Sequence, residues 1–133
     1  AAAEIAAGGL DDWAGIQALR DGMEQRLTQA IAGLQVAGSG AARAPGTSCL
    51  ALPGKVAETQ VMAMDLAGIA ISAGSACSSG KVKRSHVLDA MGHDEATATA
   101  AIRVSLGWTT TAADVEKFIA AYTRFAGKAE AAE

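Results

Sequence analysis

Ile102-Arg103-Val104-Ser105-Leu106 alternates strictly, apolar at 102, 104 and 106 and polar at 103 and 105. Successive strand side chains point to opposite faces, so this run predicts a strand with one face on a core and Arg103 on the other. Downstream, Thr111-Ala112-Ala113-Asp114 has the form of a capping box with Asp at its third position. It opens a helix whose apolar stripe is Val115, Phe118, Ile119, Tyr122 and Phe125. The Ala/Glu-rich tail from Lys128 to Glu133 is expected to fray. Upstream, Ser85 is placed to cap a short helix through Val87, Leu88 and Met91 that ends at Gly92. Behind Gly68, Ile69-Ala70-Ile71-Ser72 is a second alternating, β-branched run and predicts another strand.

Further from the centre, Ala57 to Leu66 predicts a helix with Val61, Met62 and Leu66 apolar. Thr47 to Leu52, bounded by Pro45 and Pro53-Gly54, suits a short strand, and the Cys49 within it is expected to be simply buried. Gly38, Gly40 and Pro45 mark a loop. From about Leu10 to Ala32, Trp13, Ile16, Leu19, Met23, Leu27, Ile31 and Leu34 recur at three- and four-residue steps, the stripe of a long helix. A first short helix ends at Gly8-Gly9. Helices and short strands interleave without a repeat, so the fold class is α+β, a small sheet with helices packed on one face.

The totals agree with one such layer. A chain of 133 residues suits one domain, and with aromatics at 4% its core is thin for its length. A formal charge of -3 and a pI near 5.3 lend no support to nucleic-acid or anionic-membrane binding. Two cysteines without a signal peptide fit a reducing cytoplasm, where a structural disulfide is not expected. Ala1 to Ala7 has no initiator methionine, basic region or long apolar stretch. It reads as the tail of a helix begun elsewhere, the C-terminal part of a longer polypeptide, or else as a trimmed or processed end.

The residues that could carry chemistry cluster in Ser72-Ala73-Gly74-Ser75-Ala76-Cys77-Ser78-Ser79-Gly80. A segment of Gly, Ser and Ala buries little area, so Cys77 has the setting of a thiol meant to react rather than to pack. Lys81, Lys83 and Arg84 follow it, placed to lower its pKa or steer an acidic partner, or else serving as ordinary solvated charges. Arg103 is the second candidate, a guanidinium fork suited to bidentate capture of a carboxylate. His86 adjoins an apolar helix and His93 follows Gly92, and no His/Cys/Asp spacing resembles a metal site. Neither a P-loop nor a dinucleotide glycine fingerprint occurs.

Three blocks carry a resemblance: Gly68 to Ser79 around Ser-Ala-Gly-Ser-Ala-Cys77, Ser85-His86-Val87-Leu88-Asp89-Ala90-Met91-Gly92, and Ile102-Arg103-Val104-Ser105-Leu106-Gly107 with Thr109-Thr110. Together they resemble the C-terminal region of cysteine desulfurases of the NifS/IscS type, within the class V aminotransferases. The likeness is dense from Leu66 to Val115 and thin before Arg43. It implies that residues 1–133 are the small C-terminal domain of a pyridoxal 5′-phosphate enzyme, with a mainly antiparallel sheet as in fold-type I transferases. It also implies that the complete enzyme takes L-cysteine, leaves a persulfide on Cys77 and releases L-alanine. Arg103 aligns with the arginine that holds the substrate carboxylate. The sulfur would pass to an acceptor scaffold for iron–sulfur assembly or another use.

The spacing after Cys77 looks like the long-loop group of that family. Relatives form homodimers and hold the cofactor in a large N-terminal domain, through a lysine in a Ser-x-His-Lys setting. None of Lys55, Lys81, Lys83, Lys117 and Lys128 has that setting, so this chain alone is expected neither to hold the cofactor nor to desulfurate. Where many relatives have Arg-x-Pro-Asn-Thr, Arg43-Ala44-Pro45-Gly46-Thr47 stands here, which puts a local turn contact in question. A self-standing sulfur carrier fed by another protein, and a remnant without a reactive thiol, are the competing readings.

Overall fold

A computed structural model describes residues 12–73 and 85–130, together with Glu4. The short helix expected before Gly8, the stretch 74–84 with Cys77, and residues 131–133 lie outside the described residues. The elements are α1 (Asp12–Ala30), β1 (Gln35–Val36), β2 (Thr47–Ala51), α2 (Ala57–Leu66), β3 (Ser72–Ala73), α3 (His86–Ala90), α4 (Glu95–Thr99), β4 (Ala101–Ser105) and α5 (Ala112–Glu130). Four antiparallel strands form one sheet in the order β1-β2-β4-β3, the α+β layer expected from the alternating runs.

The central pair, β2 and β4, sets the two faces. Ser48 lies opposite Val104 and Leu50 opposite Ile102, all four buried. Above them α1, α2 and α5 close the main core with Met23, Leu27, Met64, Phe118 and Tyr122. Cys49 opposite Arg103 belongs to the other face, partly covered by the short helices α3 and α4 through Leu88 and Ala98. Antiparallel pairing makes this automatic: one register assigns every second residue to each face.

Local signals explain the helix ends. The Thr111 hydroxyl accepts from the Asp114 amide at 3.2 Å and the Asp114 carboxylate accepts from the Thr111 amide at 2.8 Å, the reciprocal box anticipated for α5. These Thr111 hydrogen bonds hold the Asp114 carboxyl below its ordinary value. Ser85 caps α3 by accepting from the Leu88 amide. Gly68 stops α2 in the left-handed region at φ 69°, with the Ile69 amide donating back to the Met64 carbonyl at 2.9 Å.

Five details depart from the sequence reading. The strand expected over Ile69 to Ser72 begins only at Ser72, because the Ile69 amide is spent closing α2 and the β4 ladder reaches no further than Ser72. Ile69 and Ile71 pack instead against the core edge. Helix α5 runs through Glu130, so the first part of the tail expected to fray is helical; Ala, Lys and Glu are strong helix formers. The loop around Gly38 is preceded by a two-residue strand, β1, which exists only through its pairing with Leu50 and Ala51. Helix α4 is capped by Asp94, which accepts from the Thr97 amide at 2.8 Å, and its five residues are too few to show a stripe. In α2 the buried residues are Ala57, Gln60 and Met64, while Met62 and Leu66 are 67% and 89% exposed.

The altered Arg43-to-Thr47 turn has a steric basis. Gly46 is buried, and its carbonyl accepts from the Leu106 amide at 2.7 Å. A Cβ at position 46 would collide with the Leu106 carbonyl oxygen, so glycine permits this close backbone approach. Beside it, Arg43 forks onto buried Glu24 at 2.7 and 2.8 Å, and Arg20 donates to the Ala44 carbonyl at 2.8 Å. Among the described residues no helix is long and apolar enough to cross a membrane.

Candidate functional site

Arg103 stands on the outer face of β4, flanked in register by Cys49 of β2 and Ser72 of β3. It forms one wall of a cleft of about 330 Å³, with Thr47, Cys49 and Ser85 beside it and Val87, Leu88 and Met91 supplying apolar surface. Each part comes from a different local rule. Alternation turns residues 47, 49 and 103 to the same side, the Ser85 cap starts α3 at the rim, and Leu88 anchors that helix onto the sheet.

The state of the guanidinium singles this cleft out. Arg20 is held by Asp21 and the Ala44 carbonyl, Arg26 by Glu116, and Arg43 by Glu24. Arg103 and Arg124, both exposed, have no hydrogen bond or ion pair among the described residues, and of the two it is Arg103 that lines this cleft. A larger depression of about 520 Å³ is lined by Arg20, Asp21, Glu24 and Arg43, but its charges already answer one another. An unpartnered fork beside apolar surface is suited to a small carboxylate whose remaining atoms are compact.

Cys49 had been expected simply to be buried; it is half-buried and faces the cleft. Burial raises its thiol pKa and Arg103 draws it back, with a net rise, so the thiol stays protonated near neutral pH. It is therefore a poor nucleophile. The place of Cys49 in the cleft was legible only through its two-residue offset from Thr47 once β2 is paired with β4.

Cys77, the first sequence candidate, lies outside the described residues, as do Lys81, Lys83 and Arg84. Both ends of its stretch are defined. On one side of it Ala73 adjoins Ser72, the residue paired with Arg103, and on the other Ser85 lines the cleft. His86 is exposed, His93 is half-buried after the α3 turn, and neither lines the cleft. Among the described residues no three His, Cys, Asp or Glu side chains gather as a metal would require.

Pyridoxal phosphate needs a lysine for covalent attachment and a partner for its ring nitrogen. Among the described residues Arg103 is the only charged one lining the cleft, and the Lys117 ammonium donates elsewhere, to the Gly68 carbonyl at 3.2 Å. The described residues do not by themselves fit that cofactor.

Comparison with known proteins follows the same lines. Residues 1–118 match the Aminotransferase class-V family. A cysteine desulfurase of Cereibacter sphaeroides is 41% identical over 118 residues, covering 89% of this chain and 30% of that protein. One from Klebsiella pneumoniae is 37% identical over 120 residues, covering 90% and 30%. The chain thus spans about 30% of the length of these curated relatives. Among solved structures, a NifS-like protein from Rickettsia africae ESF-5 superposes with a TM-score of 0.72 at 30% identity, covering 84% of this chain and 28% of its own. A second NifS-like protein gives 0.77 at 26% identity, covering 92% and 30%.

Proposed function

This chain belongs to the class-V aminotransferase family, and we propose on that premise that it is the C-terminal small domain of a cysteine desulfurase. The observation that carries this reading is Arg103, an unpartnered arginine in a cleft whose rim bounds the stretch containing Cys77. Arg103 forks onto the carboxylate of L-cysteine, while the apolar surface of Leu88 and Met91 excludes water and strengthens that pairing. The Cys77 thiolate attacks the substrate sulfur. A sulfur–sulfur bond forms as the substrate carbon–sulfur bond breaks, the bonding pair stays with carbon, and protonation there gives L-alanine. Cys77 is left as a persulfide that passes its terminal sulfur to an acceptor scaffold, for iron–sulfur assembly or another sulfur use.

Pyridoxal 5′-phosphate would be held by parts of the complete enzyme outside this chain and would supply the electron sink there. The chain alone neither holds the cofactor nor desulfurates. The complete enzyme works as a cytoplasmic homodimer, with no nucleic-acid or membrane partner. The shared name of the relatives supports this reading over a self-standing sulfur carrier.

Exposing the complete enzyme, loaded with pyridoxal phosphate, to L-cysteine and mapping its peptides by mass tests the proposal. One added sulfur on Cys77 and none on Cys49 is expected, and Cys77→Ser should lose turnover while retaining the cofactor. No sulfur on Cys77 with the cofactor bound, or wild-type turnover in Cys77→Ser, would overturn it.

A further inference from the structure

The chemistry above makes no use of the most completely bonded polar side chain in the core, Gln60. Helix α2 turns it inward, where it is 0% exposed. Its amide nitrogen donates to the Lys55 carbonyl at 2.8 Å and to the Ala100 carbonyl at 2.7 Å, and its oxygen accepts from the Tyr122 hydroxyl at 2.6 Å. Tyr122 is also 0% exposed, and burial raises its pKa far enough to keep the phenol neutral and donating. Both amide hydrogens of Gln60 are therefore used, and its oxygen is held by a third element.

The bond to Ala100 matters because of what begins there. Ala100 ends α4, its amide donating to the Thr97 carbonyl at 3.2 Å, and the next residue opens β4. Helix α4 has five residues, too few to hold itself, so this corner depends on its outside attachments. The same corner supplies Ala98 and Ala101 to the cleft and carries Arg103 three residues on. A fork grips a carboxylate only over a narrow range of position, and displacement of its root is felt as lost binding.

We propose that Gln60, held in place by Tyr122, is a positioning residue for the carboxylate site: it pins the Ala100 corner from the core side so that β4 presents Arg103 correctly in the cleft. It touches no substrate and acts through Arg103. The inference rests on the carboxylate role assigned to Arg103 above.

A double-mutant cycle in the complete, cofactor-loaded enzyme separates positioning from general structural damage. Gln60→Leu and Tyr122→Phe are each made with Arg103 intact and with Arg103→Ala, and kcat and kcat/KM for L-cysteine are measured. With Arg103 intact, Gln60→Leu should lower kcat/KM about tenfold and Tyr122→Phe about threefold, mostly through KM. Both losses should fall below about twofold in the Arg103→Ala background. Equal losses in both backgrounds, or losses confined to kcat, would overturn the proposal. Tyr122→Phe keeps the ring and removes only the hydroxyl, so it carries the test should Gln60→Leu fail to fold. An unchanged KM in Arg103→Ala alone would show instead that the carboxylate reading is wrong, and this inference would fall with it.

Discussion

Arg43 and Arg103 show how one residue type serves two purposes in this chain. Arg43 leads into β2 and closes a bidentate pair with Glu24, a carboxylate buried on α1. Arg103 lies in β4, where its cross-strand neighbours are a protonated thiol, Cys49, and Ser72 rather than a carboxylate. The first guanidinium is consumed in tying a loop to a helix. The second has no described partner to take up its donors. Arginine content alone predicts neither role; the partner does.

Removing each side chain in turn sharpens that contrast. In the complete enzyme Arg103→Ala should raise KM for L-cysteine by about a hundredfold, through loss of a charge-assisted fork. Its unfolding midpoint in urea should barely move, since no described partner is orphaned. A KM within twofold of wild type would remove Arg103 from the site.

Arg43→Ala should do the reverse. It leaves Glu24 buried without its main counter-charge, costing about 2 kcal/mol in urea unfolding, with KM nearly unchanged. A large KM change with unaltered stability would mean that the two arginines have been assigned the wrong way round.

Glu24 gives the pH form of the same comparison. Burial raises its pKa, but the hydrogen bonds from Arg43 and the charges of Arg43 and Arg20 bring it net below its ordinary 4.5. A folded-state pKa below the unfolded one stabilises at neutral pH, and that contribution disappears as pH falls from about the ordinary value through the lowered one. Glu24→Gln should flatten stability in that acid window, whereas Arg103→Ala should leave it unchanged; acid titrations followed by circular dichroism would decide.

The smallest expected effect concerns the thiols. Cys49 should alkylate several-fold more slowly than a free thiol at neutral pH, because burial keeps it protonated, and its rate should climb only at more alkaline pH. Peptide-mapped alkylation against pH measures this. A rate equal to a free thiol at neutral pH would mean the cleft leaves Cys49 open and ionised.

Much of this arrangement is legible in the chain. Alternation at 102–106 placed Arg103 outward, Thr111 and Asp114 marked the start of α5, Gly68 marked the end of α2, and Ser85 began α3. Harder to see were short elements that exist only through pairing. β1 has no pattern of its own until Leu50 and Ala51 lie beside it, and α4 is five residues held by one cap and its neighbours. The burial of Gln60 in place of Met62 ran against the hydrophobic pattern, because two backbone carbonyls and a phenol satisfy the amide more fully than water could reach them.

By itself, then, the sequence determined the α+β class, the ends of the long helices and the side of β4 on which Arg103 emerges, because these depend on side chains a few positions apart. Tertiary structure alone decided that Arg103 would lack a carboxylate partner among the described residues, that Cys49 would share its cleft, and that Gln60 would be sealed against Ala100. Those outcomes join residues from 40 to 62 positions apart for Gln60 and across separate strands for Arg103. Nothing in local spacing specifies such meetings; sheet register and helix packing bring them about.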